Sequence, residues 1–210
     1  MSLEELHARH LVELGHLQAI LADKALTSVI AERSDELPYH TLLVELEPDA
    51  DERPRQMAVN FYPADPELVA DSLLLQYFLV LPVRFDAAGA ARLREYLPEA
   101  NNQVVVGHFS LTNAEPFQLH FRYVQTLPAD SVLRAEAVTD VLTLVTYTPL
   151  LYQNVLEDLA AGDITVEQAR AHQAAQLRRL VDARLLYGDV ARGQVFQHIL
   201  IEQRRVGHER

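Results

Sequence analysis

Cysteine is absent from this chain, and glycine is scarce, with seven among 210 residues. Without cysteine there can be no disulfide bond, no thiolate metal site and no thiol-based catalysis. The sequence also lacks the GxxxxGKS/T and GxGxxG loops that hold phosphates, and it lacks the GxSxG nucleophile elbow. We therefore expect no catalytic residues, no metal ligands and no cofactor.

Long apolar runs are missing as well. The longest, Ser72 to Phe85, is interrupted by Gln76, Pro82 and Arg84, whereas a membrane span needs roughly 18 consecutive apolar residues. The first five residues, MSLEE, show no signal peptide. Nearly half of the chain, 49%, is apolar, which is enough to build a core. We expect a cytoplasmic protein that does not interact with a membrane.

Acidic residues outnumber basic ones by 30 to 18. The excess is uneven, because eight of the basic residues but only four of the acids lie from Arg170 onwards. The first 169 residues therefore carry about −16 and the rest about +4. An acidic body repels phosphates, which argues against direct nucleic-acid binding and suits a basic protein partner. Acidity that only keeps the protein soluble is the alternative. The basic C-terminal segment could contact nucleic acid, the body of a second copy, or nothing.

Hydrophobic periodicity predicts an α+β fold in residues 1–162, with an antiparallel sheet of about five strands flanked by helices. The predicted elements are a helix Leu3–Ile30, strands His40–Glu47, Gln56–Tyr62 and Ser72–Phe85, a short helix Ala87–Leu97, a hairpin within Asn101–Tyr123 and a long helix that Gly162 ends. Residues 163–210 are predicted to form a helical extension, whose start Thr165 and Gln168 would cap.

The hairpin is the clearest pattern in the chain. Phe117, Leu119, Phe121 and Tyr123 alternate with polar residues, which is typical of a strand with one buried face. Upstream, Gly107 would mark a bulge or allow a close approach, and the preceding asparagines would cap the short helix. We interpret seven residues of this region as structural markers of the fold: Asn101, Asn102, Gly107, Phe109, Leu111, Phe117 and Phe121.

The strand Ser72–Phe85 is apolar on both faces. It should therefore be a central strand that is covered on both sides, or it should face a partner. Five residues are candidates for a surface that binds a second copy or a protein client: Leu74, Phe78 and Val80 from this strand, and Leu93 and Tyr96 from the short helix.

Two groups of possible metal ligands are better explained as solvated surface. His7, His10 and His16 lie on one predicted helix, but no carboxylate or further histidine completes a site at convincing spacing. The acids between Glu47 and Glu52 resemble a calcium loop in composition only, because the glycine and the terminal glutamate of an EF-hand are missing. We expect exposed histidines and a solvated acidic loop.

The motifs around the hairpin resemble those of the YbjN family, whose wider fold is shared with the dimeric chaperones of type III secretion systems. The resemblance spans about Leu3 to Gly162. Its most specific part joins the short helix to the hairpin, through Leu93-x-x-Tyr96-Leu97, Asn101-Asn102, the Gly107–Leu111 strand and the alternating Phe117–Tyr123 arm.

The resemblance implies a non-enzymatic adaptor or chaperone-like protein that acts as a homodimer and binds a protein client. The acidic body suggests a client that is basic or associated with nucleic acid. A regulatory module of a stress or sensory response is an alternative that the family also implies. An enzyme of unknown type is the third, but the sequence places no nucleophile or carboxylate pair beside His108 and His120.

Overall fold

Residues 3–35, 37–49, 51–62, 71–172 and 175 are described by the structure, which is a computed structural model. In chain order the elements are α1 (Leu3–Ala22), β1 (Ser28–Ala31), β2 (Thr41–Leu46), β3 (Arg55–Phe61), β4 (Ser72–Leu81), α2 (Ala87–Gln103), β5 (His108–Leu111), β6 (Leu119–Pro128) and α3 (Ala135–Ala161). Residues 166–172 and 175 form the described part of a fourth helix, α4. The predicted α+β class is confirmed.

All of the strands join one sheet in the order β1-β2-β3-β4-β6-β5, and every neighbouring pair is antiparallel. The sheet thus has six strands where the sequence predicts about five. β4 lies inside the sheet, as expected, and pairs with β6 over its whole length from Ser72 to Leu81. Its long partner β6 forms the second central strand.

The additional strand is β1, which the sequence places within the first helix. That helix ends at Ala22 instead of Ile30. The amide of Ala25 bonds to the carbonyl of Ala22, and the amide of Leu26 to that of Leu21, with Ala25 at a positive φ of 59°. These are the bonds of a Schellman motif, in which a left-handed residue ends the helix. Because alanine occupies the usual glycine position, the sequence carries no stop signal there.

The short helix α2 is longer than predicted. Asp86 caps it as expected, since its side chain accepts a hydrogen bond from the amide of Gly89 at 2.9 Å. Pro98, however, lies inside the helix, which continues to Gln103. Ala100 is fully buried in the core, so the packing of this extra turn outweighs the preference of the chain to stop near proline.

Asn101 joins the last turn of α2 to β5. Its side-chain oxygen accepts from the amide of Phe109 at 2.7 Å, and its amide group donates to the carbonyl of the same residue at 3.0 Å. Gly107 precedes the strand with φ of +76°, and a Cβ there would lie 2.7 Å from the Phe121 ring. Both residues therefore have structural roles in this junction, in agreement with their interpretation as fold markers.

The remaining fold markers differ in burial. Phe109 and Phe121 are buried and contact each other edge to face, with ring centroids 5.0 Å apart. Leu111 is half-buried against the core. Phe117 lies before β6 begins, and its ring stacks on that of Phe85 outside the sheet. Asn102 is exposed, so only its neighbour bridges the helix and the strand.

The core lies between one face of the sheet and the helices. Its largest fully buried side chains are Tyr77, Tyr96, Phe121, Leu14, Leu17, Leu21, Leu42, Met57, Leu75, Leu79, Leu93 and Leu119. Gly162 ends α3 at φ of +90°, and Thr165 and Gln168 form the predicted reciprocal capping box of α4. Because Val166 and Ala169 are buried in the same core, the described start of the extension packs on the body. Residues 176–210 lie outside the described residues.

Replacing Asn101 with alanine should destabilise the fold by about 2–3 kcal/mol, because it removes two hydrogen bonds and leaves backbone groups of the buried Phe109 without these partners. Urea denaturation followed by circular dichroism measures the change. Asn102→Ala is the matched control, since Asn102 is the exposed neighbour, and it should change stability by less than about 0.5 kcal/mol. Equal effects of the two variants would contradict the structural role of Asn101.

Candidate functional site

The face of the sheet opposite the core is called the outer face here. Leu43, Leu74, Phe78 and Val80 lie on it, because they alternate with buried core positions in β2 and β4. None of the four belongs to the core or packs against it within the described chain. The outer face is therefore a sheet surface with apolar residues near its centre.

Strand register places the outer-face residues in rows across the sheet. One row joins Val29, Leu43, Ala58, Phe78, Arg122 and His108. Its first four members are apolar and its last two are basic or titratable. Val29, at one end of this row, is 58% exposed, and Val80, two residues along β4 from Phe78, is 46% exposed, so apolar side chains of the outer face reach solvent.

Polar side chains of the outer face bond to one another. Arg122 donates to Gln76 at 2.6 Å, and Gln76 donates to Asn60 at 3.1 Å. The guanidinium of Arg122 also lies 5.0 Å from the ring centroid of Tyr62. These contacts satisfy much of the polar capacity of the face without a partner.

The structure separates the five candidate surface residues into two groups. Leu74, Phe78 and Val80 lie together on the outer face, as a partner surface requires. Leu93 and Tyr96 are 0% exposed and belong to the core, so their assignment to a partner surface is wrong. The apolar side of α2 turns inward, which the helix sequence alone does not reveal.

A second candidate site is a cavity of about 240 Å³ between the β2–β3 loop and α3, called the β2–α3 cavity here. Its apolar lining comes from four leucines: Leu26, Leu46, Leu142 and Leu150. Lys24, Arg55, Asp49 and Gln153 are among its polar lining residues. The cavity thus combines an apolar wall with charged groups.

Asp49 holds the loop to α3. Its side chain is fully buried and accepts hydrogen bonds from Arg53 Nε at 2.6 Å and from Gln153 Nε2 at 2.7 Å. Arg53 also pairs with Glu157 of α3. Burial would raise the pKa of Asp49, but the hydrogen bonds from Gln153 and Arg53 outweigh it and keep that pKa below its ordinary value. The expectation of a solvated acidic loop is therefore wrong at Asp49.

Arg55 is the buried cation of the cavity, with 6% exposure. It donates to the carbonyl of Thr146 at 2.8 Å and to that of Glu47 at 3.5 Å. Pro149 lies one turn further along α3; it has no N–H, so the carbonyl that loses its helical partner is that of Val145, next to Thr146. No carboxylate in the described chain forms an ion pair with Arg55, and burial lowers its pKa.

Sequence reasoning missed this group. Asp49 and Gln153 are 104 positions apart, and so are Arg53 and Glu157, so no local spacing indicates that they meet. The only local signals are an arginine at an inward position of β3 and a proline within the pattern of α3.

The histidines of α1 are mostly buried, contrary to expectation. His7 and His10 are each 8% exposed. His40, in the loop just before β2, is also 8% exposed. The His10 ring stacks on Phe61 with centroids 4.6 Å apart. Only His16 is exposed, as predicted. Within the residues described, no group of three possible ligands is arranged to hold a metal ion.

Acid should destabilise the protein through His10. Burial first, and then the nearby His7, lower the pKa of His10 from 6.5 to about 4. Between these values the unfolded chain binds more protons than the folded one, so stability is complete above pH 6.5 and falls as the pH drops towards 4. At about 1.4 kcal/mol per pKa unit, the loss from His10 is about 3 kcal/mol.

Urea denaturation at neutral pH and near pH 4 measures this loss. His10→Phe keeps a ring against Phe61 and should lose clearly less stability on acidification than the unchanged protein. The exposed His16→Phe is the control and should lose as much as the unchanged protein. An equal acid loss in all three proteins would show that His10 does not stay neutral in the fold.

Comparison with known proteins does not assign this chain to a family. No protein-family model matches the chain, and no curated protein matches it. No helix in the described residues has the length and apolar character to cross a membrane. The resemblance to the YbjN family and to type III secretion chaperones stays a prediction from the sequence.

Proposed function

We propose that the protein is a non-enzymatic, chaperone-like adaptor that forms a homodimer through its outer face and binds a protein client. The proposal rests on one observation: within the described chain, the core packs against only one face of the sheet. Leu43, Leu74 and Phe78 belong to central or neighbouring strands, yet none packs against the core in the described chain. A second copy would cover them and would supply the apolar contact that the helices give the other face.

The polar part of the outer face supports its burial in a dimer. Polar groups that lose water without gaining a partner cost free energy. Asn60, Gln76 and Arg122 already bond to one another, so covering them costs less than covering unpaired groups would. The Phe78 ring adds a contact with His120, at 4.8 Å between centroids, that extends the apolar area.

The size of the face also suits a dimer. The six strands have 4, 6, 7, 10, 4 and 10 residues, each covering about 3.3 Å along the strand and about 4.8 Å across it. The face therefore measures on the order of 650 Å². A standard stable interface buries about 800 Å² on each partner.

Charge favours one arrangement of the two copies. Glu45 lies on the outer face of β2, towards one edge of the sheet, whereas Arg122 and His108 lie towards the other edge. A two-fold axis parallel to the strands would place the acidic side of each copy over the basic side of its mate. Attraction between unlike charges then fixes the orientation of the pair.

The client is proposed to be a basic protein, because about −16 of charge lies in the first 169 residues. Exposed acids such as Glu47, Asp51 and Glu52 cluster in the β2–β3 loop, away from the outer face. A client could therefore bind this acidic surface while the outer face holds the dimer together.

Val80→Glu should disrupt the dimer. A carboxylate buried against an apolar partner face loses water without gaining a cation, and we expect at least a tenfold weaker self-association. Multi-angle light scattering across the micromolar range measures the molar mass. Val12→Glu is the matched control, because Val12 is 57% exposed on α1, and it should leave the dimer unchanged.

Two results would contradict the homodimer. One is an unchanged protein that scatters as a monomer throughout the micromolar range. The other is a dimer that Val80→Glu leaves intact. Circular dichroism confirms that both variants fold, and both should do so, because each replaces an exposed side chain.

Client binding should weaken steeply with salt. Immobilised full-length chain should retain basic proteins from the source cell at about 0.1 M salt, where the Debye length is about 10 Å, and release them well below 1 M, where it is about 3 Å. Mass spectrometry identifies the proteins released at each step. Two results would contradict a basic client: the retained proteins are acidic, or they stay bound equally well at high and low salt.

A further inference from the structure

We propose that the β2–α3 cavity is a binding site for a small organic anion with an apolar body, such as a medium-chain carboxylate. The cavity lies between the β2–β3 loop and α3 and not on the outer face. Ligand binding there is independent of the adaptor function, and either can fail without the other.

The cavity sets the size and character of the ligand. At about 30 Å³ per water molecule, its volume of about 240 Å³ corresponds to roughly eight water-sized groups. The leucines Leu26, Leu46, Leu142 and Leu150 make most of its wall apolar. An extended chain of about eight carbon atoms therefore fits, and its burial would be favourable.

The charge of Arg55 sets the chemistry of the ligand head. Its guanidinium has five N–H donors, and the described chain uses two of them, on the carbonyls of Thr146 and Glu47. Carbonyl groups accept hydrogen bonds but do not neutralise the charge. A buried charge without an ion-pair partner is costly, and a ligand carboxylate would supply the missing partner in a geometry that suits a guanidinium.

The acids near the cavity form no ion pair with Arg55 in the described chain, although the charges of Asp49 and Glu47 act to raise its pKa. Asp49 and Asp51 both pair with Arg53, at 2.6 Å and 3.2 Å. Glu47 is exposed, so its carboxylate stays in contact with water. Lys24 also lines the cavity but is exposed, so its charge stays in contact with water like that of Glu47. Arg55 is therefore the buried cation that remains for an anion once Arg53 has paired with the two aspartates.

Gln153 adds a polar atom to the cavity that has no partner. It is 4% exposed, lines the cavity, and donates through Nε2 to Asp49 and Glu157. Its Oε1 is buried and has no hydrogen-bond partner in the described chain. Because this oxygen is an acceptor and a carboxylate has no hydrogen to donate to it, Arg55 alone selects the charge of the ligand.

The test uses three probes of equal chain length: octanoate, octanol and octylamine. Calorimetric titration of the full-length protein should show octanoate binding at least tenfold more tightly than octanol, and octylamine no more tightly than octanol. Arg55→Met should abolish the preference for octanoate over octanol. Thr143→Phe, which places a ring in the cavity, should abolish binding of both probes.

Thr148→Phe is the matched control, because Thr148 lies on the same helix but does not line the cavity, and it should bind octanoate normally. Val80→Glu should also bind octanoate normally, which separates this site from the proposed dimer. If Arg55→Met does not fold, the proposal is still tested by the preference of the unchanged protein for octanoate and by the effect of Thr143→Phe on binding. Failure of octanoate to bind, equal binding of octanoate and octanol, or octanoate binding that survives Thr143→Phe would overturn the proposal.

Discussion

The apolar contact between one face of the sheet and the helices is the interaction on which the rest of this structure depends. Tyr77 and Phe121 of the two central strands are buried there, and so are Leu14 of α1 and Leu156 of α3. Because successive side chains of a strand point to opposite faces of the sheet, the neighbours of each core residue point away from the core. A strand such as β4, which is apolar at nearly every position, must then expose apolar side chains unless something else covers them. The proposed dimer would supply that cover.

A polar network holds the other candidate site in place. Asp49 and Arg53 fasten the β2–β3 loop to Gln153 and Glu157 of α3, across a hundred positions of sequence. Their mutual pairing leaves Arg55, which lines the cavity, without an ion-pair partner in the described chain. The contacts that stabilise the fold thus also leave a buried positive charge at the proposed ligand site. If an anion binds there, it would contact the loop and α3 together, which gives the protein a means of sensing a small molecule.

Features that depend on neighbouring residues could be predicted from the sequence. Features that depend on packing between distant segments could not. The alternation of β6, the cap at Asp86 and the glycine stop at Gly162 involve neighbouring residues, and all are confirmed. The end of α1 was missed because Ala25 adopts the left-handed conformation without glycine. The inward side of α2, the burial of His10 and the partners of Asp49 depend on elements far away in the sequence, which no periodicity can reveal.

Hydroxyl-radical footprinting with mass spectrometry reports directly whether a second copy covers the outer face. Phe78 and Tyr62 lie on or beside that face, and the exposed His16 of α1 is an internal reference away from it. As the protein concentration rises from nanomolar to micromolar, oxidation of Phe78 and Tyr62 should fall severalfold while that of His16 stays constant. Oxidation of Phe78 that is the same at every concentration would contradict the account.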